Sequence, residues 1–139
     1  MTTPAPETAA AAPFDPCDFP GDLVVAQHTE AELYADLHAF QKTLPWSREP
    51  HDGWPDEAER GRERRGRPAS PDWTPEQAAE FDRLFVALRR AAAAVGGHKW
   101  WERCKREGIK GADLIAARMA LKHAEGAVPT AREDVGTAA

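Results

Sequence analysis

A chain of 139 residues has room for one domain. Of its 42% hydrophobic content, 27 residues are alanine, while Leu, Ile, Val and Phe number only 21, so the core must be small and lean on the five tryptophans. The net charge of −5 disfavours non-specific attraction to nucleic acid, and no apolar run approaches the roughly 20 residues that a membrane helix needs.

Residues 1–21 are rich in Ala, Pro and Thr and predict a flexible arm. Phe14 and Phe19 are placed to dock its last part, kept extended by Pro13, Pro16 and Pro20. The arm lacks the positive n-region and apolar h-region of a signal peptide, which makes the cytoplasm the expected location. Cys17 and Cys104 are then expected as reduced thiols rather than a disulfide.

A first helix is predicted from about Asp22 to Leu44, where Pro45 forces the chain out of helical geometry. Asp22 can serve as N-cap, although Thr29-Glu-Ala-Glu32 also has the form of a capping box. Leu33, Leu37, Phe40 and Leu44 fall on one helical face. Pro45 to Trp73 follows as a long polar connector with three tryptophans, five prolines, three glycines and the arginine run from Arg60 to Arg67. Connections of that length are uncommon in compact domains and are usually functional or disordered. Its tryptophans argue against simple disorder.

The second helix has the clearest start, because Thr74-Pro-Glu-Gln77 joins a capping hydroxyl, a first-turn proline and an N3 amide. Phe81, Leu84, Phe85, Leu88 and Val95 form its apolar stripe, and Gly96-Gly97 ends it. His98 to Arg106 predicts a short helix closed by Gly108, and Ala112 to Glu125 a last one. Residues 127–139 read as a second loose tail. No credible strand pattern is present, since Leu23-Val-Val25 is too short. The expected fold is all-α: a small bundle of three main helices plus a short one, forming a single domain over residues 22–126.

Site chemistry is sparse. The histidines at 28, 38, 51, 98 and 123 include no i, i+4 pair, and there is no Cys-x-x-Cys, so no metal is expected. No glycine-rich phosphate loop is present, and no pair of acids stands out for hydrolysis. Cys104 lies in an electropositive stretch that could lower a thiol pKa, yet a half-buried structural cysteine is the commoner outcome. No catalytic residue and no cofactor are assigned.

Two surfaces remain. Trp46, Trp54, Arg67, Trp73, Trp100 and Trp101 are candidates for binding a protein partner, because Trp and Arg are enriched at interface hot spots. The alternative is a nucleic-acid contact through the segment 98–106, with Lys99, Arg103, Lys105 and Arg106, and the Arg60–Arg67 run, a neighbouring indole stacking on bases. Against both stands simple packing: Trp46 and Trp54 plugging gaps between helices, Trp100 and Trp101 closing the bundle, and Arg60 to Arg67 forming a solvated loop tip. The sequence leaves the oligomeric state and the partner open.

One resemblance spans about residues 40–124. It rests on Trp46-Ser-x-Glu49-Pro50, Gly53-Trp54, Gly66-Arg67-Pro68-x-Ser70-Pro71, Thr74-x-Glu76-Gln77, and Ala116-Ala-Arg-x-Ala-Leu-Lys-His-Ala124. In these motifs the chain resembles a set of small, uncharacterised helical proteins encoded by high-GC bacteria. The resemblance implies a helical fold and no particular activity, cofactor or catalytic residue. The arginine run and the Cys104 region depart from its usual pattern.

Overall fold

In the computed structural model, residues 12–129 are described, and four helices and one β-hairpin account for their regular structure. The helices are α1 (Gly21–Gln41), α2 (Pro75–Gly96), α3 (Lys99–Arg106) and α4 (Ala112–Leu121), with β1 (Glu57–Glu59) and β2 (Arg62–Arg64) between α1 and α2. The protein is therefore mostly helical, as its apolar periodicity indicates, but not purely so. Residues 1–11 and 130–139, which hold most of both expected flexible termini, lie outside the described residues.

Local signals set the helix ends. Thr74 Oγ1 accepts the Gln77 amide at 3.1 Å while Gln77 Oε1 accepts the Thr74 amide at 2.9 Å, so the expected capping box is formed in both directions. His98 caps α3, its Nδ1 accepting the Trp100 amide at 3.0 Å. At the other end of α3, Gly108 takes φ +87° and Ile109 N–H returns to the Cys104 carbonyl at 2.9 Å. That is a Schellman closure, which only a glycine adopts without strain. Two helices stop earlier than expected. α1 ends at Gln41 in a turn where the amides of Lys42, Thr43 and Leu44 take the carbonyls of His38, Phe40 and Gln41. α4 ends at Leu121, leaving Lys122 and His123 in the turns that follow.

The described residues divide into two compact units, one formed by residues 12–31 together with 92–129, the other by Glu32–Ala91. In the first, Leu23, Val95, Trp100, Trp101, Cys104, Ala117 and Leu121 form the buried cluster, with Phe14, Phe19 and Ile109 packed on it. Phe14 and Phe19 thus dock as the sequence suggests: the Phe14 and Trp100 rings lie 5.2 Å apart, those of Phe19 and Trp101 6.4 Å apart. Ala127, read from sequence as the start of the loose tail, is buried at 1% exposure. Ile115 and Met119, beside the α4 core row, stay exposed. In the second unit the buried residues are Leu37, Leu84 and Ser70, and the Trp73 ring lies tilted 5.0 Å from Phe81, which stacks on Phe85 at 6.0 Å.

The expectation that Pro45–Trp73 contains no strand is corrected. The segment is one long antiparallel hairpin in a single register: Trp73 N–H donates to the Arg48 carbonyl, His51 pairs with Ser70, Trp54 with Arg67, Glu57 with Arg64 and Glu59 with Arg62. The arginine run is the exposed tip of this hairpin, as the sequence suggests, but it is ordered as a turn and second strand rather than an irregular loop. Pro50, Pro55, Pro68 and Pro71 remove four donors, so the ladder is continuous only beyond them. Arg60 and Gly61 close it at φ +53° and +77°. Two central residues at positive φ define a type I′ turn, whose twist matches that of paired strands.

Candidate partner-binding site

The site is built by a short repeat meeting itself. Gly53-Trp54-Pro55 on one strand lies antiparallel to Gly66-Arg67-Pro68 on the other. Trp54 and Arg67 exchange both backbone hydrogen bonds at 2.9 Å. Each glycine sits directly against the opposite backbone. A Cβ on Gly53 would overlap the Arg67 carbonyl oxygen and stand 2.6 Å from the Pro68 carbonyl carbon. One on Gly66 would overlap the Trp54 carbonyl oxygen and stand 2.7 Å from the Asp56 nitrogen. No side chain fits there, so the strands approach closely only because both positions are glycine. Asp56 Oδ1 accepts the Gly66 amide and His51 Nδ1 accepts the Gly53 amide, fixing both crossings from the side.

Directly opposed residues project from the same face of a hairpin, so Trp54 and Arg67 emerge together. There they meet Trp46 and His51. The three rings form a mutual cluster: Trp46 to His51 4.8 Å, Trp46 to Trp54 5.6 Å and His51 to Trp54 5.7 Å, with interplanar angles of 57–80°. The Arg67 guanidinium carbon stands 5.1 Å from the Trp46 ring centre. Trp46 Nε1 donates to the Pro68 carbonyl at 2.8 Å, joining the indole to the far strand. With that N–H engaged, Trp46 offers ring surface and no free donor. Trp54 remains 45% exposed, and Trp46 is half-buried.

Trp73 anchors the hairpin base. Its Nε1 donates to the Pro45 carbonyl at 2.8 Å, and the Arg48 guanidinium lies 5.4 Å above its ring. Arg48 grips Asp82 of α2 with two bonds of 2.8 Å, a fork-to-carboxylate geometry that holds the Asp82 carboxyl below its ordinary pKa. Ser70 is buried, accepting the Ser47 amide at 3.2 Å and donating to the Pro71 carbonyl at 3.0 Å.

The structure thus brings Trp46, Trp54 and Arg67 into one cluster, with Trp73 at its base. Trp100 and Trp101 are not part of it. Both are core residues, 7% and 2% exposed. Trp101 donates to the Val95 carbonyl at 2.7 Å and Trp100 to the Pro16 carbonyl at 3.1 Å. Neither ring is free to stack on a partner or a base. Of the two sequence readings, one indole at the surface or both closing the bundle, the burial fits the second, and the segment around Phe14 and Pro16 covers Trp100. Lys99, Arg103, Lys105 and Arg106 are exposed on α3, with Arg103 lying over Phe14 and Trp100, and Lys105 3.9 Å from Glu102. Cys104 is fully buried, and burial pushes its thiol pKa up, opposite to what a nucleophile needs. Among the described residues, no three His, Cys, Asp or Glu side chains converge on a metal position, and no helix is long and apolar enough to cross a membrane.

Sequence reasoning missed His51 and Arg48. His51 belongs to the pair with Ser70, three residues before the Trp54–Arg67 pair, and its ring reaches both indoles, which spacing alone does not reveal.

No curated protein and no solved structure matches the chain. A family model described as a domain of unknown function, DUF8825, matches residues 22–124, from the start of α1 to just past α4, and the chain belongs to that family.

Proposed function

We propose that this protein is a non-enzymatic interaction module whose hairpin presents Trp46, His51, Trp54 and Arg67 to a protein partner. One observation carries the reading: two indoles and an imidazole, packed against one another on a glycine-locked backbone, keep ring surface open to solvent. Rigid aromatic surface is what binding energy concentrates on, because little side-chain freedom is lost when a partner covers it. The cytoplasm, where two free thiols persist, is the proposed setting.

A full-length chain carrying a photo-crosslinker at Asp52, beside the cluster, tests this. A discrete partner should be captured, and Trp54→Ala should weaken its binding by about thirtyfold, the size of a hot-spot loss, with the far-ultraviolet circular dichroism unchanged. Capture indifferent to Trp54→Ala would defeat the proposal.

The nucleic-acid alternative retains four exposed cations on α3 but no stacking ring. It predicts salt-sensitive retention on RNA or DNA that disappears when Lys99, Arg103, Lys105 and Arg106 are neutralised. Retention unaffected by those substitutions eliminates it.

A further inference from the structure

We infer that the groove between the end of α1 and the base of the hairpin recognises carboxylate side chains in an acidic peptide segment of the partner. The inference rests on the interaction reading above and names the chemistry of what that face accepts. His38, Gln41 and Lys42 from α1 and its closing turn face Trp46, Arg67 and Trp73 across this groove. No carboxylate lines it, in a chain where acids outnumber bases 23 to 18.

Neither groove cation is spent on an acid of the described residues. The side-chain ion pairs among the described residues use Arg48, Arg83, His98 and Lys105, and neither Lys42 nor Arg67 takes part in one. The groove's indole N–H groups are already bonded, to the Pro68 and Pro45 carbonyls. What the groove offers a ligand is therefore ring surface, one ammonium and one guanidinium, beside the His38 imidazole and the Gln41 amide. A guanidinium held over a ring face keeps its N–H donors at its edge, which is the edge a carboxylate binds with two parallel bonds. The negative end of α1 does not cancel this, because the carbonyls of His38, Phe40 and Gln41 are bonded by the turn amides that follow.

A peptide fits better than a polyanion. The net charge of −5 opposes the approach of a long phosphate backbone, whereas one or two carboxylates beside an apolar residue match two cations set among indoles.

The test is selection from a random-peptide display library on the full-length protein. Enriched peptides should carry Asp or Glu next to an aromatic or aliphatic residue and should perturb indole fluorescence on binding. Replacing their acids with Asn or Gln should weaken binding about tenfold or more, as should Arg67→Gln or Lys42→Gln. Arg67→Lys should recover only part of the loss. Folding is protected in these variants, since Arg67 pairs with Trp54 through its backbone and Lys42 is exposed. Peptides that bind through Trp54 yet tolerate loss of their acids would overturn the acidic groove while leaving the interaction reading intact. Enrichment of basic peptides, enrichment of none, or oligonucleotide binding through Lys42 and Arg67 would also overturn it.

Discussion

At the scale of single residues, glycine decides whether the site exists. Gly53 and Gly66 each lie where a methyl group would occupy the position of a backbone atom, and backbone atoms cannot swing aside as a flexible side chain can. Gly53 adds φ +74°, so a side chain there meets both a clash and a disfavoured conformation. Gly21 is the control, opening α1 with nothing within 4 Å of the place its methyl group would take. Gly66→Ala and Gly53→Ala are each expected to destabilise the protein by roughly 1–3 kcal/mol and to abolish the near-ultraviolet signal of the packed Trp46–Trp54 pair. Gly21→Ala should leave both within experimental error. Urea titration and circular dichroism read the two quantities, and a wild-type aromatic signal in Gly66→Ala would refute the close approach.

At the scale of elements, the helices were legible in the sequence and the hairpin was not. Caps and stripes are local: Thr74 and Gln77 find each other within one turn, and His98 reaches an amide two residues away. The hairpin has no such signature, because β1 and β2 are exposed on both faces and show no apolar alternation. Its information is in complementarity instead. The register sets Glu57 opposite Arg64 and Glu59 opposite Arg62, acid facing base around the Arg60-Gly61 turn. Of the site, Trp46, Trp54, Arg67 and Trp73 could be read from residue type alone. His51, Arg48 and Lys42 could not, since only the register and the turn after α1 bring them in. The tip gives a direct test. Arg60 occupies a positive-φ position that asparagine adopts more readily, so Arg60→Asn should stabilise the hairpin by a few tenths of a kcal/mol. Arg64→Glu, which places like charges opposite, should cost about 0.2–1 kcal/mol, and Glu57→Arg added to it should restore most of that. Amide hydrogen exchange along β1 and β2 measures each change, and a double variant no better protected than Arg64→Glu would dismiss the charge pairing.

At the scale of the whole molecule, a few carboxylates bonded to cationic side chains contribute to the response to pH. Asp22 bonds His98, Glu80 bonds Arg83 and Asp82 bonds Arg48, and in each case the hydrogen bond is the main reason the carboxyl pKa lies below its ordinary value. A carboxyl whose pKa is lower folded than unfolded binds protons more readily in the unfolded chain. Its contribution is complete above the unfolded pKa of about 4 and is lost as the pH falls through the lower folded value. The contribution of these carboxylates should therefore be complete above about pH 5 and decline below about pH 4, small for each pair because all three are solvent-facing. Asp82 is the informative one, since its partner also covers Trp73. Asp82→Asn removes the titrating group, and Arg48→Gln returns the carboxyl to its ordinary range, so both variants should lose the same portion of the acid decline. Arg48→Gln should in addition lower stability at neutral pH, where Asp82→Asn still leaves the guanidinium over the indole. Urea midpoints measured from pH 2 to pH 7 separate the two effects, and acid declines identical to wild type in both variants would show that the pair does not govern the acid limb.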